Sequence, residues 1–311
     1  MVARKEFADH LLSVRFTILM VIMGLAALFA VYTAASQIRE VAESSSDFPA
    51  LFLKLFTVFE EGSRLELPFF ELIGLLGPLL GIMFAFDAIN GERTQGTLPR
   101  LLSQPIYRDD VINGKFVAGL SVIGLILLAL VMILSGVGMF RIGITPTWRE
   151  VGRLAVWLIV TMFYIGFWLA LSLLFSVTLR RAATSALAAI AAWLVATLFA
   201  GLLIGIAADV VSPMGDPPAP IEELNNKKAE LRIARLFPAT LYGESSQVLL
   251  QPEQRTVGIV FLNQVQGATP GELSLNQSLL VVWPQVTGLM AATVLCFVGA
   301  YVMFMKQEVR A

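Results

Sequence analysis

Six stretches of this chain are apolar over about 20 residues or more, the length a helix needs to cross a hydrocarbon core of roughly 30 Å. They fall at residues 16–36, 69–88, 115–140, 154–179, 183–208 and 279–305. Inside lipid the backbone polar groups must find partners within the segment itself, so runs of this kind fold as helices. The expected fold class is an all-α integral membrane protein with six transmembrane helices. Composition agrees, with 57% hydrophobic and only 14% charged residues, against roughly 45–50% and about 25% in soluble domains. The first run is long and no small-residue cleavage site follows a short apolar core, so it is expected to remain as an anchor.

The bases beside the short connections set the expected orientation. One side collects Arg4, Lys5, Arg15, Arg93, Arg100, Arg108, Lys115, Arg180, Arg181, Lys306 and Arg310, against Glu6, Asp9, Asp87, Glu92, Asp109, Asp110 and Glu308. That side is net positive while the whole chain is at −1, which predicts that both termini are cytoplasmic and that the protein is multi-pass in the plasma membrane. Cys296 is the single cysteine and lies in the last run, so no intrachain disulfide can form.

Between the spans, residues 1–15 place Phe7, Leu11, Leu12 and Val14 at near-helical spacing among charges, the pattern of an amphipathic helix on the membrane surface. The external loop 37–68 holds an apolar stretch, Leu51 to Phe59, too short to span and expected as an interfacial helix. Residues 209–278 are expected to form a helical external cap between spans five and six. Ile221, Leu224, Leu231, Ile233 and Leu236 recur there at helical spacing, and Pro238, Tyr242 and Pro252 bracket a further helix. The chain as a whole, 1–311, reads as a single transmembrane domain.

Several chemistries are excluded by inventory. His10 is the only histidine and lies outside the spans, so neither a two-histidine zinc site nor a Ser-His dyad can assemble in the membrane. Glu71 and Asp87 stand at opposite ends of one helix and do not make an aspartyl pair. The span interiors are nearly free of charge, unlike those of ion-driven transporters. No GxxxxGK[ST] pattern occurs, and the one GK, Gly114-Lys115, lacks the upstream glycine and the following hydroxyl residue. The chain is expected to bind no cofactor, and any ATP and Mg would belong to a partner.

Smaller features have plainer readings. Gly74, Gly77, Pro78 and Gly81 make the second span either flexible or closely packed. Ser185, Ala188, Ala192 and Ala196 allow close packing of the fifth, within the chain or across a dimer. Trp148, Trp157 and Trp283 lie near span ends, as interface anchors do, and Arg180-Arg181 suits a tight turn at headgroups.

The connection between spans two and three is different in kind. It reads DAINGERTQGTLPRLLSQPIYRDDVINGKF from Asp87 to Phe116, with charges, glycines and prolines packed between two membrane-length runs. The ordered set Asp87, Gly91, Glu92, Arg93, Gly96, Thr97, Leu98, Leu101, Leu102, Ser103, Pro105, Arg108, Gly114 and Lys115 resembles the signature of type-2 ABC transporter permeases. An N-terminal KEF, the PATLYGE segment and the terminal MFMKQEVRA extend the likeness, which is similar to the subgroup of copper-enzyme maturation and sodium-extrusion permeases. Pro99 departs from the pattern, yet a proline in a first helical turn is tolerated.

The resemblance implies the membrane subunit of an ATP-driven exporter, not itself catalytic, working as a homodimer or paired permease with two copies of a separate ATPase. Residues 89–114 would then be a cytoplasmic coupling loop. Thr97 would cap a short coupling helix with Leu98, Leu101 and Leu102 as its apolar face, and Glu92, Arg93 and Arg100 would set register on the ATPase. Two other readings stay open at this point: a scaffold or mechanical transducer driven by the same kind of ATPase, and a passive channel. The sequence does not identify the substrate, and it offers no nucleic-acid surface.

Overall fold

The computed structural model of the protein describes residues 2–44, 50–57, 67–97, 107–215, 219–253 and 273–307. Among them the elements are helices: α1 (Val2–Leu11), α2 (Val14–Ser44), α3 (Lys54–Thr57), α4 (Phe69–Ala85), α5 (Asn90–Thr94), α6 (Arg108–Ile142), α7 (Trp148–Thr178), α8 (Ala182–Thr197), α9 (Ala200–Val211), α10 (Pro220–Ala234), α11 (Pro238–Leu250) and α12 (Leu275–Lys306). Five helices are long and apolar enough to cross a membrane, and α8 with α9 makes a sixth candidate bent by 59°. The break lies at Leu198 and Phe199, with no proline in it and Gly201 in the turn that follows. The sequence expects the fifth span there, at residues 183–208, because apolarity runs through the bend.

α7 is the centre of the bundle, packed against α12, α4 and α11. Trp157, Tyr164 and Trp168 are its largest side chains and all are fully buried. Trp157 is therefore not an interface anchor. Its indole donates to Ser246 Oγ at 3.0 Å, and Phe56 and Phe69 surround the ring at 5.9 and 6.2 Å. Trp148 and Trp283, by contrast, are exposed as anchors are. The α7 N-terminus is fixed by a capping box in which Thr147 accepts from the Glu150 backbone and Glu150 accepts from the Thr147 backbone. The second oxygen of Glu150 accepts from Phe52 N at 3.1 Å, tying α7 to the segment before α3.

The glycines of α4 mark close packing. A Cβ on Gly81 would lie 2.7 Å from both the Ile165 carbonyl and the Leu169 amide nitrogen, so α4 and α7 cross backbone to backbone. A Cβ on Gly74 would press on Tyr242 at 3.1 Å. Ser185 and Ala189 of α8 are likewise buried within the chain, where α8 meets α7 and α4.

Two connecting segments are drawn into the bundle. Phe52, Leu53, Leu55 and Phe56 are each at most 2% exposed, so the stretch expected as an interfacial helix is packed against protein, with α3 only four residues long. Phe59 lies outside the described residues. In the region expected as a cap, α11 is wedged among α4, α7 and α12. Tyr242 stacks on Tyr164 at 4.5 Å and donates to the Phe70 carbonyl at 3.0 Å. Arg153, only 4% exposed, donates to the Val248 and Leu249 carbonyls in the last turn of α11, at 3.5 and 3.0 Å, and to Ser278 Oγ at 3.1 Å. A cation on the C-terminal carbonyls holds that helix end where its dipole is negative. Residues 254–272 of the expected cap lie outside the described residues.

Candidate functional site at the loop end

The motif residues gather at one end of the bundle, with both ends of the described chain beside them. α5 begins directly after the second span. Its start is held by α7, since the Ile89 and Asn90 amides donate to Ser176 Oγ at 3.0 and 3.3 Å. Asp87 pairs with Arg15 at the head of α2, at 2.7 Å, and the Arg15 guanidinium lies 5.0 Å from the centre of the Phe86 ring.

α5 stops at Gly96, whose φ of +67° is the left-handed conformation that glycine enters most readily. The Thr97 hydroxyl donates back to the Glu92 carbonyl at 3.2 Å. Residues 94–97 are exposed at the tip. Leu98, Arg100, Leu101, Leu102, Ser103 and Pro105, with the expected coupling helix, lie outside the described residues.

Past the tip, α6 starts at Arg108, seven residues before the expected span boundary. Arg93 and Arg108 stand on either side of the tip and converge on Gln307, one residue beyond α12. The Arg93 guanidinium donates to the Gln307 side-chain oxygen, and Arg108 donates to the Gln307 carbonyl at 3.0 Å. The Gln307 amide in turn donates to the Val177 carbonyl at the end of α7, at 2.6 Å. One glutamine thus links the last helix and the central helix to both ends of the loop.

Gly114 and Lys115 serve the docking of α1. A Cβ on Gly114 would lie 2.9 Å from Val2 Cγ1 and 3.2 Å from the Ala3 amide nitrogen, so α1 crosses α6 where no side chain intervenes. Beside that crossing the Lys115 ammonium pairs with Glu6 of α1 at 3.0 Å and with Glu92 of α5 at 2.8 Å. The lysine side chain is 5% exposed, and the carboxylates 14% and 22%. Lys115 therefore bridges the N-terminal helix to the loop. His10, on the same helix, meets the Phe84 ring edge-on at 5.1 Å. Burial lowers its pKa from the ordinary 6.5, with the Glu6 carboxylate opposing.

Of the residues the sequence singles out, Asp87, Glu92, Arg93, Arg108, Gly114 and Lys115 all make specific contacts at this end, Gly96 supplies the left-handed turn, and the Gly91 amide donates to the Asp87 carbonyl at 2.9 Å. Gln307, Ser176 and Glu6 complete the set without having been singled out as site residues. Glu6 stands in the KEF segment and Gln307 in the MFMKQEVRA tail, so both lay within quoted stretches. Ser176 carries no such signal.

The arrangement is a brace: the loop is tied to α1 and α6 through Lys115, to α7 through Ser176 and Val177, to α12 through Gln307 and to α2 through Asp87.

A protein-family match described as ABC-2 family transporter protein covers residues 1–309. An 84-residue stretch is 38% identical to a protein of Stutzerimonas stutzeri described as probable ABC transporter permease protein NosY. That stretch is 27% of this chain and 29% of the relative.

Proposed function

The chain belongs to the ABC-2 transporter family and is a multi-pass membrane protein, and from that premise we propose that it is the permease subunit of an ATP-driven exporter. Two copies of this chain, or one with a similar permease, work with two copies of a separate ATPase that holds the ATP and Mg. The loop end faces the cytoplasm, together with both termini. The residues expected to engage the ATPase are those of the tip, from Thr97 through Pro105, with Glu92, Arg93 and Arg108 anchoring it.

The observation that carries this reading is the brace. Arg93 and Arg108 stand at the two ends of the loop and are both fastened to Gln307, while Glu92 is fastened through Lys115 to α1. A tip pushed from outside cannot yield alone; it moves α1, α6, α7 and α12 with it. Such coupling through packed elements with alternative arrangements is how a remote nucleotide event reaches a pathway. The centre of a single chain is filled by Trp157, Tyr164 and Trp168, which favours a substrate path between the two copies. The remaining parts of the cap are assigned to the external side.

The test is ATP turnover of the reconstituted complex. Leu102→Asp and Glu92→Arg are expected to lower permease-stimulated turnover about tenfold while the chain still inserts in the membrane; a tenfold effect corresponds to about 1.4 kcal/mol. Wild-type turnover in both variants would remove the coupling assignment.

A further inference from the structure

The span that leads into the loop carries a proline in its interior. Pro78 is buried in α4 with helix on both sides of it, and having no N–H it cannot donate to the Gly74 carbonyl four residues earlier. Inside a membrane a carbonyl freed in this way takes its partner from a neighbouring helix. Here that partner is the Tyr164 hydroxyl of α7, which donates to the Gly74 carbonyl at 2.7 Å. Tyr164 is fully buried. Its ring stacks on Tyr242 of α11, whose own hydroxyl donates to the Phe70 carbonyl one turn further along α4.

The two halves of α4 are held in different ways. Past Pro78, the helix lies backbone to backbone on α7 at Gly81, and Ser172 Oγ donates to the Ile82 carbonyl at 3.2 Å. That half continues into the loop. Before Pro78, the hold is by side chains. A Cβ on Gly77 would meet the tip of the Ile165 side chain at 2.9 Å, one on Gly74 would meet the Tyr242 ring at 3.1 Å, and two tyrosine hydroxyls close on the carbonyls of Phe70 and Gly74.

We propose that Pro78 is a hinge in the second span and that the Tyr164 hydroxyl is the latch that holds it shut. When the latch opens, the half from Phe69 to Gly77 swings away from Tyr164, and the half from Gly81 to Ala85 stays on α7. An unbroken helix would have to give up a backbone hydrogen bond to bend at this place. At Pro78 that bond does not exist, so the bend exchanges one hydroxyl–carbonyl bond, which is of modest net worth. The inference deepens the proposed function and rests on it: the hinge lies in the span that carries the loop, where a displacement of the loop reaches the opposite end of α4 as a bend.

The experiment uses the purified full chain in lipid nanodiscs, spin-labelled at Glu71→Cys in the first turn of α4 and at Val151→Cys, 39% exposed on α7, in a Cys296→Ser background. Pulsed electron paramagnetic resonance reads the distance distribution between the labels. Tyr164→Phe keeps the ring and removes the latch, and is expected to raise the population at longer distance about tenfold. Pro78→Ala restores the N–H to Gly74, and is expected to suppress that population in a chain that keeps Tyr164. The double variant Pro78→Ala/Tyr164→Phe is expected to behave as Pro78→Ala does. An unchanged distribution in either single variant, or a Tyr164→Phe effect of equal size with Ala at 78, would overturn the hinge and leave Tyr164 a static packing residue. The readout needs no ATPase, so its failure is distinct from failure of the coupling assignment, which ATP turnover tests.

Discussion

Lys115 gives the sharpest quantitative handle on the brace. Its ammonium lies 2.8 Å from Glu92 and 3.0 Å from Glu6. At an effective dielectric of about 20, Coulomb's law gives gross attractions of about 6 and 5.5 kcal/mol. Burying the ammonium takes back several kcal/mol, and the part-exposed carboxylates screen the pairs further. A net coupling of about 1–3 kcal/mol per pair remains. Replacing Lys115 by Met retains the packing of the stem but leaves two carboxylates facing each other, so the whole change is expected to destabilise by about 3 kcal/mol, the low end of what breaking a buried pair does. The assay is a double-mutant cycle of Lys115→Met with Glu92→Gln, and a second with Glu6→Gln, each read by denaturing-detergent unfolding in mixed micelles. Coupling energies of at least about 1 kcal/mol are expected in both cycles. Additivity within about 0.5 kcal/mol in either cycle would refute the claim that this lysine ties α1 to the loop.

Two further outcomes follow from the same geometry. Gly81→Leu is expected to push α4 from α7, because the first added carbon already meets backbone atoms at 2.7 Å; a loss of about 3 kcal/mol or more in the same unfolding assay is the overpacking effect expected, whereas Gly24→Ala, inside α2 with nothing within 4 Å, should not destabilise, alanine being the better helix former by up to about 1 kcal/mol. His10 has its pKa lowered by burial, so the unfolded state takes up the proton first; stability is full above pH 6.5 and falls as pH drops below it. Wild type should therefore lose more stability than His10→Asn between about pH 7 and 5.5, and parallel curves would show that His10 is solvated.

The parts of this architecture that were legible in the sequence are those fixed by local rules. Span positions follow from the lengths of the apolar runs, and the loop was marked by an ordered motif. Burial against lipid and burial against protein, however, both select apolar side chains. Phe52 and Phe56 consequently read as interfacial, although Phe52 meets Phe56 and Phe56 packs on Trp157 and Phe69. α11 reads as a short helix between breakers, and what wedges it into the bundle is Tyr242 on Phe70, 172 residues away in sequence. Gly114-Lys115 was visible as a span boundary, yet its purpose in seating α1 depends on Val2 and Glu6, more than 100 residues earlier. The bend at Leu198 and Phe199 has no proline to announce it. Local periodicity carries none of these long-range pairings.

The central claim is that this chain is worked by a separate ATPase through the braced loop. The most direct measurement is affinity purification of the tagged chain from its native membrane in mild detergent, with ATP and a slowly hydrolysed analogue, followed by mass spectrometry. The account predicts recovery of a soluble subunit carrying a phosphate-binding loop, and loss of that subunit when Leu102 is changed to Asp. A chain recovered without any such subunit would contradict it.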